Sequence, residues 1–185
     1  MLSATAPHLC SKCLESLQPN LHSAMIDGFE VWSVYDNEEG VNSHLRQLKD
    51  CGDIELACVF LNPYADLLSL RFSRAVLTFV PTSPEQFRER GFSANEEILK
   101  QIKHPLQKCF YFEQIDSESC SQKGESKEPT IRIKLQNGIR IRGKTVVVFD
   151  DCLSKESKLI QCLNLLEKTG AKKAIGLVLC FKGKT

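Results

Sequence analysis

Two adjacent carboxylates, Asp150 and Asp151, are the residues of this chain whose position best suits ligand chemistry. They follow the run at 145–149, in which every residue is β-branched or aromatic, as is typical of a strand covered on both faces in a parallel sheet. The carboxyl ends of such strands open onto the ligand crevice of α/β sheets. Paired carboxylates there could bind ribose hydroxyls, or a Mg²⁺ ion that is held by a phosphate ligand.

A helix is predicted directly after this strand. Beyond Ser154, apolar side chains recur at helical spacing, at Leu159, Cys162, Leu163 and Leu166. Gly170 is suited to end the helix, and the apolar run at 174–180 predicts a further strand, which completes a β-α-β unit. The start of the helix leaves a second interpretation open, in which Asp151 or Ser154 caps the helix and binds no ligand.

The rest of the hydrophobic pattern predicts an α/β fold with a parallel sheet flanked by helices. Strands are predicted at 29–35, 75–81 and 108–112, and helices at 41–51, 54–61 and 94–102. The 185 residues suffice for one domain, 29–185, and a small amino-terminal segment, 1–28, that carries two cysteines. A stretch at 116–129 is dominated by Ser, Glu, Lys and Gln and predicts a flexible loop on the domain surface.

Composition narrows the functional classes. Apolar residues make up 42% and charged residues 25% of the chain, as in ordinary globular domains. A net charge of +1 gives no global attraction to nucleic acid or membranes, so any such surface has to be local. Residues 1–7 lack the features of a signal peptide, and no apolar run is long enough for membrane insertion. Nine cysteines, an odd number, favour a reducing compartment, and we expect a cytoplasmic protein.

Cys10 and Cys13 form a single C-x-x-C pair near the start of the chain. A structural Zn²⁺ site needs four ligands, of which this pair supplies two. His8 could supply a third ligand and His22 a fourth, although nothing in the spacing requires it. The alternative is a pair of cysteines without a metal ion.

Two groups of basic residues could contact phosphates. Arg88 and Arg90 lie just past the strand predicted at 75–81, where their guanidinium groups could bind a phosphate or pair with neighbouring glutamates. Alternation on both sides of Asn137-Gly138 predicts a β-hairpin with basic side chains on one face. This basic stripe consists of Arg132, Lys134, Arg140 and Arg142. It is interpreted either as a solvated strand face or as a contact for a phosphodiester backbone.

In order and spacing, these pieces resemble the ComF/GntX family, which has a type I phosphoribosyltransferase-like fold. The similarity spans nearly the whole chain and rests on Cys10-x-x-Cys13, Val80-Pro81 with Arg90-Gly91-Phe92, Ser121-Gln122-Lys123-Gly124, and Phe149-Asp150-Asp151 with Gly170-Ala171. The resemblance implies that Asp150 and Asp151 bind the ribose of phosphoribosyl pyrophosphate in the presence of Mg²⁺. It also implies that the loop at 116–129 closes over this site.

The sequence departs from the family pattern in the phosphate-binding loop. The family's T-T-G-A-T corresponds here to 154–158, so the resemblance assigns phosphate contacts to Ser154, Lys155, Ser157 and Lys158. Glu156 replaces the glycine that lets backbone N–H groups wrap closely round a phosphate. The two lysines could offset the charge of Glu156 but not the lost backbone geometry. Only one of the family's two C-x-x-C pairs is present.

Three functions follow from these observations. The favoured one is a non-catalytic or weakly catalytic protein of DNA uptake and natural transformation. Its partners would be proteins of the transformation machinery, such as a DNA helicase or translocase, and single-stranded DNA. The alternatives are an active phosphoribosyltransferase that uses phosphoribosyl pyrophosphate and Mg²⁺, and a protein–protein adaptor without nucleic-acid contact. Fold analogy alone does not choose among them.

Overall fold

The structure is a computed structural model that describes residues 11–36, 38–115, 130–153 and 158–181. Its strands are β1 (Pro19–Ile26), β2 (Phe29–Tyr35), β3 (Val76–Phe79), β4 (Phe110–Ile115), β5 (Thr130–Leu135), β6 (Thr145–Leu153) and β7 (Lys173–Phe181). Its helices are α1 (Ser11–Ser16), α2 (Glu38–Asp50), α3 (Ala57–Leu61), α4 (Ala65–Arg71), α5 (Pro84–Arg90), α6 (Ala94–Leu99) and α7 (Lys158–Lys168). Short 3₁₀ helices, Ile54–Leu56 and Asn62–Tyr64, flank α3.

Among the described residues, the central sheet has five strands in the order β1-β2-β7-β6-β3. Strands β2, β7, β6 and β3 pair in parallel, and β1 pairs antiparallel with β2 at one edge. Strands β4 and β5 form a separate antiparallel pair. The predicted α/β fold, a mostly parallel sheet flanked by helices, is therefore confirmed.

Successive side chains of β6 point to opposite faces of the sheet, so that the strand contributes to a hydrophobic core on each face. Val147 and Phe149 join the core beneath α2, α3, α4 and α6, whereas Val146 and Val148 join the core beneath α7 and the β4-β5 pair. Gly176 on β7 lets α7 approach closely, because a Cβ atom there would lie 3.0 Å from Val31 and 3.1 Å from Leu159. The middle of β6 is thus buried on both faces of the sheet.

Several elements differ from the sequence expectations. Strand β6 continues to Leu153, so Asp150 and Asp151 lie within the strand rather than after it. Pro63 does not end the helical region, because it stands at the start of a 3₁₀ turn that leads into α4. Strand β1 and helices α1, α4 and α5 were not predicted from the sequence. Strand β1 pairs with β2 across a tight turn between Ile26 and Phe29.

The predicted hairpin around Asn137-Gly138 is wrong. Strand β5 pairs with β4 from Phe110↔Leu135 to Ile115↔Thr130. Beyond the turn, the chain makes a single antiparallel bridge from Arg142 to Ala171 instead. Apolar and polar residues do alternate on both sides of the turn. The strand that pairs with β5 is nevertheless β4, which precedes the segment at 116–129.

Within the parts of the chain that the structure describes, no helix is long and apolar enough to cross a membrane.

Candidate functional site

A cleft of about 230 Å³ opens at the carboxyl ends of β3 and β6. This is the edge of a parallel sheet at which ligands bind. The polar and charged side chains that line it come from α2, the β3–α6 region, β6 and α7. They are Lys49, Thr82, Gln86, Arg90, Asn95, Asp150, Asp151 and Lys158.

The connection from β3 to α6 forms one wall of the cleft through two capped helix starts. The Ser83 hydroxyl accepts a hydrogen bond from the Gln86 N–H, and Pro84 occupies the first turn of α5. Gly91 ends α5 at φ 78°, in the left-handed region. Ser93 then caps α6 and also accepts a hydrogen bond from the Thr82 hydroxyl at 2.8 Å. These caps place Asn95 in the first turn of α6, directly opposite β6.

Asp150 accepts hydrogen bonds from a side-chain amide and from the backbone N–H of the next residue. The Asn95 side-chain N–H donates to Asp150 Oδ1 at 3.0 Å and to the Val80 carbonyl at 3.1 Å. Asp150 Oδ1 also accepts from the Asp151 backbone N–H at 3.0 Å. Within the described residues, the buried Asn95 Oδ1 atom has no hydrogen-bond partner. Asn95 therefore ties the end of β3, α6 and the carboxylate pair together.

Asp151 is held by a cation from a distant element. The Lys49 ammonium group on α2 forms an ion pair with Asp151 Oδ2. The two side chains are 23% and 16% exposed, so the pair is screened by solvent much less than a surface pair. The same two residues border a second cleft of about 230 Å³, which Arg46 and Asn42 also line. Lys49 and Asp151 therefore divide one groove along the sheet edge into two lobes.

Two further cations border the first lobe. Arg90 ends α5 and lines the cleft, and Lys158 begins α7. The Lys158 ammonium group lies 5.2 Å from the centroid of the Phe112 ring on β4, within the range of a cation–π contact. Arg88, the other arginine of α5, is exposed and does not line the cleft.

A buried thiol lies behind the acidic pair. Burial raises the pKa of Cys162 on α7, and the nearby Asp150 carboxylate raises it further. Cys162 therefore stays protonated at neutral pH and behaves as a small apolar side chain of the core.

The basic stripe does not join the cleft. Arg132 and Lys134 are exposed on β5, and Lys134 forms an ion pair with Glu113 on β4 at 3.3 Å. Arg140 lies beyond the turn, and Arg142 bridges to Ala171 and packs its side chain next to Gly170. The four residues are thus distributed over two segments rather than over one hairpin face.

Some predicted site residues lie outside the described part of the chain. They are Cys10, Ser154, Lys155, Ser157 and the loop at 116–129. Cys13 belongs to α1. In the described residues, no three histidine, cysteine, aspartate or glutamate side chains come together as a metal site.

Sequence reasoning missed Lys49 and Asn95 as site residues. In the sequence, Lys49 is one of several polar residues on an amphipathic helix. Its contact with Asp151, which lies 102 positions later in the chain, depends on how the elements pack. Asn95 follows the cap residue Ser93 by two positions, and it meets Asp150 across 55 residues of the chain, so no local pattern indicated it.

The geometry suits an anion or a polyol rather than a divalent metal ion. Arg90, Lys158 and Lys49 offer positive charge, and Asp150 offers a carboxylate acceptor. A Mg²⁺ ion prefers several oxygen ligands, including carboxylates whose charge is not already compensated. Asp151 meets this condition only if Lys49 moves away, so the residues present do not fit Mg²⁺ in this arrangement.

Comparison with known proteins yields structural similarity only. No family model and no curated protein matches the sequence. Among solved structures, the chain is similar to an allosteric regulatory enzyme of purine biosynthesis, with 16% identity over 67% of this chain and a TM-score of 0.42. The match covers only 26% of that enzyme's length.

Two other solved structures are similar to the same degree. One is a hypoxanthine phosphoribosyltransferase from Staphylococcus aureus, with 16% identity over 70% of this chain and 72% of that one, and a TM-score of 0.41. The other is a hypothetical protein from Neisseria gonorrhoeae with bound ppGpp, with 16% identity over 71% and 70% of the two chains, and a TM-score of 0.42. No activity and no residue role follows from similarity at this level.

Proposed function

We propose that this chain is a phosphoribosyltransferase-like module of the ComF type that acts in DNA uptake as a binding protein. In this proposal it works in the cytoplasm with proteins of the transformation machinery, such as a DNA helicase or translocase, and contacts single-stranded DNA. It turns over phosphoribosyl pyrophosphate slowly or not at all.

The proposal that the protein is not an active enzyme rests on the contacts that already occupy Asp150 and Asp151. Lys49 engages Asp151, and Asn95 engages Asp150. A ribose hydroxyl or a hydrated Mg²⁺ ion would have to compete with these contacts. A hydrogen bond to a charged group contributes about 1.5–3 kcal/mol. Since about 1.4 kcal/mol corresponds to a tenfold change in affinity, displacing Lys49 alone would weaken sugar binding by roughly 10- to 100-fold.

The surface of α5 supports a role in binding partners. No residue of α5 is buried, and the Phe87 side chain is 50% exposed. Arg88 next to it is also exposed. Aromatic and arginine side chains are the residue types that contribute most at protein interfaces. These exposed side chains support the proposal that a partner protein contacts α5, at the rim of the cleft.

An active phosphoribosyltransferase is the second candidate. The observation that favours it is that Arg90 and Lys158 line the same cleft as Asp150 and Asp151. Two cations and two carboxylates around one cleft could bind a phosphorylated sugar if Lys49 moved from Asp151 to the pyrophosphate. Mg²⁺ would then accompany the substrate.

Calorimetric titration of phosphoribosyl pyrophosphate with Mg²⁺ into the purified chain separates the two candidates. We expect no binding at micromolar concentrations, and the same result for the double variant Asp150→Asn, Asp151→Asn. Micromolar binding by the natural chain that the double variant loses would overturn the non-catalytic proposal and favour the enzyme. The double variant is a matched control because it removes charge while keeping the size of both side chains.

A further inference from the structure

Two cysteines lie side by side at the end of β6 and β7, next to the acidic pair. Cys152 and Cys180 are directly paired residues of the parallel ladder. Their sulfur atoms are 3.6 Å apart, which is van der Waals contact. Both residues are buried, with Cys152 8% and Cys180 1% exposed. No step of the proposed function uses either thiol.

From this geometry, we propose that Cys152 and Cys180 form an intramolecular disulfide when the protein meets a peroxide, which makes the pair a thiol modification site at the floor of the cleft. Adjacent strands lie about 4.8 Å apart, which is within the range of Cα separations that disulfides span. Paired residues of a ladder also project from the same face of the sheet. Closure therefore needs no rearrangement of the strand order.

Access favours Cys152 as the thiol that reacts first. It lines both lobes of the groove, whereas Cys180 lies deeper in the sheet. The Cys152 sulfur attacks one oxygen of hydrogen peroxide, the O–O bond breaks, and the departing hydroxide takes up the thiol proton as water. The Cys180 sulfur then attacks the resulting sulfenic acid. The S–S bond forms, the S–O bond breaks, and a second water leaves with the Cys180 proton.

Oxidation would also change the wall of the cleft. The Cys152 thiol donates to Asn42 Oδ1 at 3.6 Å, and this contact ends when the thiol hydrogen is removed. Asn42 and Lys49 are seven residues apart, so they lie on the same face of α2. Oxidation therefore removes one contact between β6 and the helix that carries the cation of the Lys49–Asp151 pair. The relevance of this change for ligands rests on the proposed function, but the covalent step does not.

Mass spectrometry of the intact protein tests the covalent step. We expect dilute hydrogen peroxide to lower the number of alkylatable cysteines from nine to seven and to remove two hydrogen atoms from the mass. Tryptic digestion should then yield residues 145–155 joined to residues 174–182, and dithiothreitol should separate them. Cys51→Ser, which removes an exposed cysteine, should leave the yield of this product unchanged.

Other outcomes overturn the proposal. One is recovery of Cys152 and Cys180 as alkylated thiols under conditions that oxidise Cys51. Another is stable sulfinic acid on Cys152 without the joined peptides. The single variants Cys152→Ala and Cys180→Ala should each abolish the joined product, and mapping of the natural chain decides the question even if either variant folds poorly. A result on phosphoribosyl pyrophosphate binding, in either direction, leaves this test unaffected.

Discussion

Lys49 and Asn95 determine what the acidic pair can do, because each engages one of its carboxylates. An ion pair that is mostly withdrawn from water is costly to break on one side only, since the remaining charge keeps its desolvation penalty. Asn95 is neutral and adds no charge to the site. The ion pair of Lys49 with Asp151 therefore stabilises the fold, but it also occupies a carboxylate that a ligand would need.

Lys49→Met should lower the free energy of unfolding by about 1–3 kcal/mol, because Asp151 keeps its partial burial and loses its ion-pair partner. The variant should also gain Mg²⁺-dependent stability, since two adjacent carboxylates then lack the compensating ammonium group. Urea denaturation with and without Mg²⁺ measures both effects.

The double variant Lys49→Met, Asp151→Asn is the matched control for this prediction. It should recover part of the lost stability and show no response to Mg²⁺. Additive effects of the two substitutions would show that the ion pair does not couple α2 to β6.

At the scale of elements, the closeness of α7 to the sheet depends on Gly176. A methyl group there would lie 3.0 Å from Val31 and 3.1 Å from Leu159, both of which are fully buried, so these side chains would have to shift. The start of α7 carries Lys158, so this packing also sets the position of a cleft cation.

Gly176→Ala should therefore destabilise the protein by about 1–3 kcal/mol through overpacking. Thermal and urea unfolding measure the change. Leu159→Ala in the same chain should relieve part of the strain, so that the double variant loses less stability than the two single variants predict together. A neutral Gly176→Ala variant would show that α7 can shift outward without cost.

Periodicity predicted the elements whose pattern is local. The apolar runs of β2, β3, β6 and β7 and the apolar face of α7 were identified from spacing alone, because burial on one or both faces imposes that spacing directly. The position of Asp150 and Asp151 at the carboxyl end of a central strand followed from the same pattern. The coarse fold and the placement of Asp150 and Asp151 near the carboxyl end of β6 could thus be predicted from the sequence, whereas their role in a site stays a prediction.

Elements whose pairing is non-local were not readable. Apolar and polar residues alternate along β5, which predicts a strand but not the strand with which it pairs. The turn at Asn137-Gly138 suggested pairing with the residues just after the turn, rather than with β4. Helix α5 has no buried residue and therefore no apolar period. Lys49 reaches Asp151 only because α2 packs on the same sheet face as α6, which no local pattern encodes.

At the scale of the whole molecule, charge is nearly balanced, so binding of nucleic acid would depend on where the basic residues lie. Arg132 and Lys134 stand on the exposed ladder of β5, opposite Glu113 and Tyr111. Arg142 instead lies against the turn at Gly170. The two halves of the basic stripe are therefore separate surfaces, and they can be tested separately.

If the proposed contact with single-stranded DNA runs along β5, replacing Arg132 and Lys134 by alanine should weaken binding of an oligothymidylate. It should also flatten the salt dependence by about 0.7 per lost phosphate contact. The presence of Tyr111 beside them favours this half, because single strands bind where bases can stack on an aromatic ring near cations. Fluorescence anisotropy at several salt concentrations measures both quantities.

The matched control replaces Lys100 and Lys103, which removes the same charge from a different surface and should leave the salt slope unchanged. Equal slopes in the natural chain and the β5 variant would remove this strand from the nucleic-acid proposal and shift the test to Arg140 and Arg142.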